Sequence, residues 1–242
     1  MLGHRLKTVL RRAANAIGYD IVGFDGNSTR ARLARTLDRL DIGTVLDVGA
    51  NRGDYGWFLR ELGYRGEIVS FEPLPDAFHQ LSKRAAGDGK WKAVPIGLGD
   101  QDQELAIHVA ANSQSSSFLP MLEAHEIAAP ESRYQGTVRA RIRRLDHVFR
   151  DYCQAGRPVF LKIDTQGFER KVLEGAAGIL DAVPLVQLEC SLVQLYEGGD
   201  VIEDLVGWVR TLGYDPIDLQ PAFFHKDEGR LMQIDMLFER RA

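Results

Sequence analysis

The chain has few cysteines, no long apolar segment and no excess of basic residues. Its two cysteines, Cys153 and Cys190, lie far apart without a histidine or a further cysteine at metal-binding spacing, which argues against a disulfide framework or a zinc site. We therefore expect a reducing, cytoplasmic location. No apolar run reaches the roughly 18 residues of a transmembrane helix. The 30 Lys and Arg against 34 Asp and Glu argue against nucleic acid as a partner.

What the chain does contain is typical of one globular α/β protein. Its 242 residues carry a net charge of -4, and 45% of them are hydrophobic, so the chain is long enough to form its own core. We predict a single domain over residues 28–242. Residues 1–27 are predicted to form a basic amphipathic helix and a turn.

The predicted N-terminal helix allows two interpretations. Apolar residues recur at helical spacing over residues 2–17, and the opposite face is basic. Such a stripe usually packs on protein, either on the domain or on a second subunit, and we favour this interpretation. The alternative is peripheral contact of residues 1–17 with an anionic membrane.

The pattern after residue 40 predicts a doubly wound, Rossmann-like sheet. Apolar strands at 44–48, 67–71 and 91–96 alternate with amphipathic helices, which indicates parallel strands with crossover helices. Further strands are expected at 159–163 and 185–189. Segments 215–219 and 232–239 are expected to end the sheet as an antiparallel pair.

An insertion interrupts this alternation. Segments 105–109 and 138–142 alternate in polarity and are predicted to pair as strands. Residues 110–137 between them are polar and variable, and we interpret them as an irregular excursion. Loops of that length in compact domains are commonly functional, which points to contact with a substrate.

The most informative segment joins the first strand to its helix. Asp47 lies near the end of the strand, just before a loop that contains Gly49, Ala50, Asn51 and Gly53. Glycines here let the backbone approach a ligand at the carboxyl end of a parallel strand. Asn tolerates the left-handed conformation that the central position requires. The alternative is a glycine-containing turn without a ligand.

A second acidic residue supports a nucleoside ligand. Glu72, followed by Pro73, ends the second strand, where a carboxylate can accept hydrogen bonds from both ribose hydroxyls. NAD and S-adenosylmethionine both carry such a ribose. We favour S-adenosylmethionine, because Asp47 can pair with its ammonium and the third glycine of the dinucleotide pattern is missing.

These segments resemble the FkbM-type family of S-adenosylmethionine-dependent methyltransferases. The resemblance covers roughly residues 28–240 and depends on four stretches, which are 46–53, 71–73, 161–169 and 235–238. It implies a seven-stranded class I methyltransferase sheet with the last strand antiparallel. It also implies O-methylation, commonly of a sugar hydroxyl in a glycolipid or secondary metabolite.

The resemblance also implies roles for individual residues. The cofactor would contact residues of the loop and of the second strand end, namely Asp47, Gly49, Ala50, Asn51, Gly53, Glu72 and Pro73. Ser116 and Ser117 fall in the order of the family and would lie near the substrate. Tyr196 precedes Gly198 and Gly199 in a turn that we expect to close over the site.

Three side chains are candidates for the chemistry of methyl transfer. Asp164 ends a central strand and is the first candidate, as base or orienting group, although it can also cap the next helix. Glu189 ends the next strand and is either a catalytic or a supporting carboxylate. His225 is the best base among the histidines, with a surface loop residue as the alternative. Asp164 and Glu189 could together hold Mg²⁺, but a third ligand is missing, so we do not favour a metal.

Two other functions remain open at this stage. A NAD-dependent Rossmann enzyme acting on a nucleotide sugar is one, and the missing dinucleotide fingerprint counts against it. The other is a non-catalytic module that binds S-adenosylmethionine. The favoured partner is a small, glycosidic acceptor molecule.

Overall fold

The computed structural model describes residues 2–19 and 28–241. The turn expected at residues 25–27 lies outside the described residues. Helix α1 (Leu2–Ala16) confirms the expected N-terminal helix. Helix α2 (Thr29–Arg39) begins after Ser28, whose Oγ accepts a hydrogen bond from the Ala31 N–H at 3.4 Å, as expected of an N-cap residue.

Ten strands and six further helices follow in the described chain. The strands are β1 (Thr44–Val48), β2 (Glu67–Phe71), β3 (Trp91–Val94), β4 (Gly97–Leu98), β5 (Gln103–Ala110), β6 (Tyr134–Arg143), β7 (Val159–Ile163), β8 (Leu185–Ser191), β9 (Tyr214–Phe224) and β10 (Leu231–Arg240). The helices are α3 (Asp54–Leu62), α4 (Pro75–Ala85), α5 (Glu123–Ala128), α6 (Leu145–Val148), α7 (Glu169–Glu174) and α8 (Ile202–Thr211).

Seven of the strands form the main sheet, in the order β3-β2-β1-β7-β8-β10-β9. The pairs from β3 to β8 are parallel, whereas β10 is antiparallel to both β8 and β9. This confirms the seven-stranded sheet with its last strand antiparallel, the class I methyltransferase fold. None of the described helices is long and apolar enough to cross a membrane.

The insertion forms a small sheet of its own, in the order β4-β6-β5. Strands β5 and β6 pair antiparallel, as the sequence predicted, and β4 adds a short parallel edge that the sequence did not indicate. The excursion between them folds into short helical turns around α5. Ser117 returns to pair with His108 of β5, so the first part of the excursion is held against the small sheet.

The order of the strands positions the site. Strands β1 and β7 are neighbours inside the sheet, and the chain runs outward from β1 through β2 to β3 on one side and from β7 to β8 on the other. A crevice therefore opens at the carboxyl ends of these strands, the place where doubly wound sheets bind ligands. Strands β1 and β7 are buried at every position, which explains why their sequences are mostly apolar, with Asp47 and Lys162 as charged exceptions.

One predicted helix is broken in the structure. The sequence predicts a helix over residues 168–180, but α7 ends at Glu174, and a 3₁₀ helix over Ala177–Ala182 follows. The break lies at Gly175, where a Cβ atom would approach the carbonyl oxygen of Gly99 to 1.9 Å. The two chain segments can cross this closely only because Gly175 has no side chain.

Gly175→Ala should lower the free energy of unfolding by about 2 kcal/mol or more, because the added methyl group must displace the backbone at Gly99. Urea denaturation monitored by circular dichroism measures this change. Gly207→Ala in α8 is the matched control. No atom would meet its Cβ within 4 Å, so the higher helix propensity of alanine should leave the protein equally or more stable. Equal effects of both variants would contradict the close crossing.

Candidate active site

A cavity of about 830 Å³ opens at the carboxyl ends of the central strands. Its floor is the turn after β1 together with the ends of β2, β7 and β8, and residues of the excursion and of β9 cover it. Most of the side chains and turns that the sequence singled out line this one space. These are Gly49, Ala50, Asn51, Glu72, Pro73, Ser116, Ser117, Asp164 and Glu189.

The glycine loop owes its shape to a close crossing of two chain segments. Gly49 has a φ of 73°, and a Cβ atom there would lie 1.8 Å from the carbonyl oxygen of Asp164. Asn51 takes a φ of 47°, the left-handed conformation that the sequence predicted. Gly53 does not line the cavity. It precedes α3, and its Cβ would meet Leu81 and Trp91 in the core.

Glu72 connects the loops that follow β1 and β2. Its Oε2 accepts a hydrogen bond from the Asn51 N–H, and its Oε1 accepts one from the Leu74 N–H, both at 2.8 Å. The side chain is 4% exposed, and burial raises the pKa of Glu72 to about 7 in spite of the two hydrogen bonds. A buried carboxylate at the wall of a cavity retains lone pairs for hydroxyl donors of a ligand.

Asp47 lies beneath the loop and does not line the cavity. Its side chain is fully buried. Its Oδ2 accepts a hydrogen bond from the Ser70 Oγ at 3.0 Å, and its Oδ1 lies 3.3 Å from the Lys162 Nζ. The predicted ion pair with a cofactor ammonium does not fit this placement, because the ammonium of Lys162 already occupies that side of the carboxylate. We assign to Asp47 the positioning of Lys162.

Lys162 is a buried cation in the centre of the sheet. Its Nζ lies 3.4 Å from the Asp164 Oδ2 as well as 3.3 Å from Asp47. Burial opposes its charge, but the attraction of Asp164 and Asp47 outweighs this effect and raises the pKa of Lys162 above its usual value. Lys162 therefore remains charged, and it fixes one side of the Asp164 carboxylate at the cavity wall.

Gln166 connects the two carboxylates that the sequence proposed for catalysis. Its Nε2 donates to the Asp164 Oδ1 at 2.9 Å and to the Glu189 Oε2 at 2.6 Å. Its Oε1 accepts a hydrogen bond from the Tyr196 hydroxyl at 2.8 Å. Gln166 also has a φ of 56°, a strained conformation for a residue with a side chain. Tyr196 is buried and does not line the cavity, so it acts on the site through Gln166.

Glu189 faces the cavity among other acidic groups. Burial and the nearby charges of Asp164 and Asp235 raise its pKa well above the usual value, which favours the protonated acid. Gln233 Nε2 also donates to the Glu189 Oε2, at 2.7 Å. Because Asp164 is held between Lys162 and Gln166 whereas Glu189 tends to keep a proton, the two carboxyl groups are suited to different tasks.

Several polar residues of the cavity were not identified from the sequence. Asp235 lies opposite Glu189 in the sheet register, and the Gln220 Nε2 donates to its Oδ2 at 3.1 Å. Gln187 accepts a hydrogen bond from the Tyr55 hydroxyl at 2.8 Å. The available signal was a polar or charged residue inside an otherwise apolar strand, which is costly unless it has a partner.

The structure keeps His225 outside the cavity. Its Nδ1 accepts from the backbone N–H groups of Asp227 and Glu228, both at 3.3 Å, and so closes the turn between β9 and β10. His125 of α5 lines the cavity instead. Burial lowers the pKa of His125 to about 4, so it is neutral at pH 7.

The two serines of the excursion organise its path. Ser116 Oγ accepts a hydrogen bond from the Ala110 N–H at 3.0 Å, and Ser117 Oγ donates to the Gln166 carbonyl oxygen at 2.7 Å. Both also line the cavity. Within the described residues, no cluster of three or more His, Cys, Asp or Glu side chains is arranged to hold a metal ion.

Glu169 begins α7 just behind the cavity and is buried. Its Oε1 accepts hydrogen bonds from the Thr165 N–H at 2.8 Å, the Gly167 N–H at 3.2 Å and the Thr165 Oγ1 at 3.2 Å. Burial raises the pKa of Glu169 to about 7. The folded chain therefore binds more protons than the unfolded chain between about pH 4.5 and 7, so this group favours folding less as the pH rises.

Glu169→Gln should stabilise the protein at pH 8 by roughly 3 kcal/mol and leave its stability almost unchanged at pH 5. The amide oxygen can accept the same three hydrogen bonds, while the buried charge is lost. Urea denaturation at pH 5, 6, 7 and 8 measures the difference, with the exposed Glu203→Gln as the control. A destabilisation that is equal at every pH would contradict this account.

Comparison with known proteins agrees with the fold. Residues 47–216 match the family described as the methyltransferase FkbM domain. Methyltransferase sdnD of Sordaria araneosa is 26% identical, over 54% of this chain and 59% of its own length, so the chain spans little more than half of that relative. The crystal structure of methyltransferase FkbM from Methylobacillus flagellatus KT has a TM-score of 0.51 and 14% identity, and the match covers 81% of this chain and 44% of that chain. The chain belongs to the FkbM family of S-adenosylmethionine-dependent methyltransferases.

Proposed function

We propose that this protein transfers a methyl group from S-adenosylmethionine to a hydroxyl of a small polyhydroxylated molecule, such as the sugar of a glycolipid or secondary metabolite. The observation that supports this proposal is one continuous cavity. Its lining includes the glycine loop and Glu72 as well as Asp164, Glu189 and Asp235. A nucleoside site and a set of acidic groups thus share one space.

The first half of the cavity, which the glycine loop and Glu72 line, has residues that fit this cofactor. Gly49, Ala50 and Asn51 of the turn after β1 line the cavity, so their backbone can lie against a ligand. Glu72 offers lone pairs to the ribose hydroxyls. Asp47 and Asp164 together outweigh the charge of Lys162, which leaves the wall with a negative potential, and Glu189 and Asp235 add to it where they ionise. That potential favours a ligand with a sulfonium and an ammonium.

The cofactor and the protein contribute different parts of the methyl-transfer chemistry. S-adenosylmethionine supplies a methyl group on a sulfonium, with a good leaving group. The protein must orient the acceptor hydroxyl and receive its proton. Asp164 is placed for this task, because Lys162 and Gln166 fix both of its oxygens while part of the side chain remains exposed to the cavity.

The second half of the cavity has the chemistry of a polyol site. Its amide side chains both donate and accept hydrogen bonds, and its carboxyl groups accept them from hydroxyls. Phe118 and Phe223 supply apolar surface for the carbon face of a ring. The polar residues of this half are Gln166, Gln187, Glu189, Gln220, Gln233 and Asp235.

Glu72→Ala should weaken S-adenosylmethionine binding at least about tenfold, because hydrogen bonds from two ribose hydroxyls to a charged group are lost. Isothermal titration calorimetry at pH 8 measures the dissociation constant. Glu203→Ala on the exposed face of α8 is the control and should bind like the wild type. An unchanged affinity in Glu72→Ala would contradict the assignment of the nucleoside half.

Asp164→Asn should bind S-adenosylmethionine within about threefold of the wild type but lose methyl transfer by about 10²-fold or more, the usual contribution of a general base. Radiolabelled methyl transfer to a panel of free sugars and glycolipids measures turnover and identifies the acceptor. Near-normal turnover would remove Asp164 from the mechanism. If the wild type binds the cofactor but methylates only acceptors at groups other than hydroxyls, O-methylation is refuted and the cofactor assignment stands.

A further inference from the structure

We propose that α1 is a docking surface for an anionic lipid membrane. The apolar side of this helix is uncovered in the described part of the chain. Leu6 and Val9 are each 62% exposed, Leu10 is 51% exposed, and Ile17 immediately after the helix is 74% exposed. Side chains of this size are rarely so exposed together on one helix of a water-soluble protein, and such a patch marks an interaction site.

The charges of the segment identify the kind of surface. Residues 1–19 contain four Lys and Arg and no Asp or Glu. At 100° per residue, Lys7 and Arg12 border the apolar stripe of Leu6, Val9 and Leu10 on opposite sides. Long basic side chains at both borders can extend to lipid phosphates while the stripe enters the apolar boundary.

The end of the helix fits the same arrangement. Tyr19 lies three residues after the end of α1 and is 71% exposed. Its ring combines an apolar body with a polar hydroxyl, and such rings are enriched at the level of the lipid headgroups.

The short chain between α1 and α2 limits how far the proposed docking surface can lie from the cavity. Arg30 lies in α2 and lines the cavity rim. The chain from Tyr19 to Arg30 can span at most about 40 Å when fully extended. A membrane bound at α1 therefore holds the cavity close to the lipid headgroups, where a lipid-linked molecule could be reached.

Co-sedimentation of the full chain with vesicles tests the proposal directly. Vesicles of phosphatidylcholine with phosphatidylglycerol should bind the wild type at least about tenfold more strongly than vesicles of phosphatidylcholine alone, and 0.5 M NaCl should weaken this binding. The triple variant Leu6→Gln, Val9→Gln, Leu10→Gln and the double variant Lys7→Gln, Arg12→Gln should each lose at least about tenfold in binding.

The double variant Arg65→Gln, Lys83→Gln is the matched control. It removes the same charge from exposed positions of the domain and should bind vesicles like the wild type. Equal loss in this control would mean that net charge alone governs binding and would overturn the proposal. Light scattering adds a second readout. A wild type that ignores anionic vesicles but dimerises through the Leu6, Val9 and Leu10 stripe would show that the stripe binds a second copy of the chain.

Discussion

The ammonium of Lys162, buried in the middle of the sheet, is the interaction on which the rest of the site depends. Ser70, Asp47, Lys162 and Gln187 face one another in register on four neighbouring parallel strands. They form a polar row across a sheet that is otherwise apolar at these positions. A buried charge without a partner is strongly destabilising, so Asp47 and Lys162 require each other. Through the contact of Lys162 with Asp164, this row connects the core to the cavity.

The same row determines the charge of the cavity. One lysine faces Asp47 and Asp164, with Glu189 and Asp235 nearby, so the ligand-free site has an excess of acidic groups. The protein accommodates the excess by proton uptake, as the raised pKa values of Glu72, Glu169 and Glu189 indicate. Such sites make the fold less stable than it could be, and they persist where function needs them. A cationic ligand is the natural complement to this excess.

Much of the scaffold could be predicted from the sequence because its strands are buried on both faces. Short, mostly apolar segments such as 44–48 and 159–163, set between helical segments, predict central parallel strands, and both have the expected bounds. The glycine loop and Glu72 could be placed because they follow strand ends. Asp47 could not be placed correctly, since a carboxylate before a glycine turn can face either the ligand or the interior. The choice depends on Lys162, which lies 115 positions later in the chain.

The histidines and Gln166 show a second limit of sequence reasoning. His225 was a reasonable base from its loop, but the backbone N–H groups of its own turn occupy its Nδ1. Gln166 lacks the signature of a catalytic residue, yet it orients both candidate carboxylates and is bound by Ser117 and Tyr196. Ser117 of the excursion and Tyr196 of the 196–199 turn therefore connect to Asp164 and Glu189 through one residue. A displaced Gln166 would reorient both carboxyl groups at once, because a single amide nitrogen contacts Asp164 and Glu189.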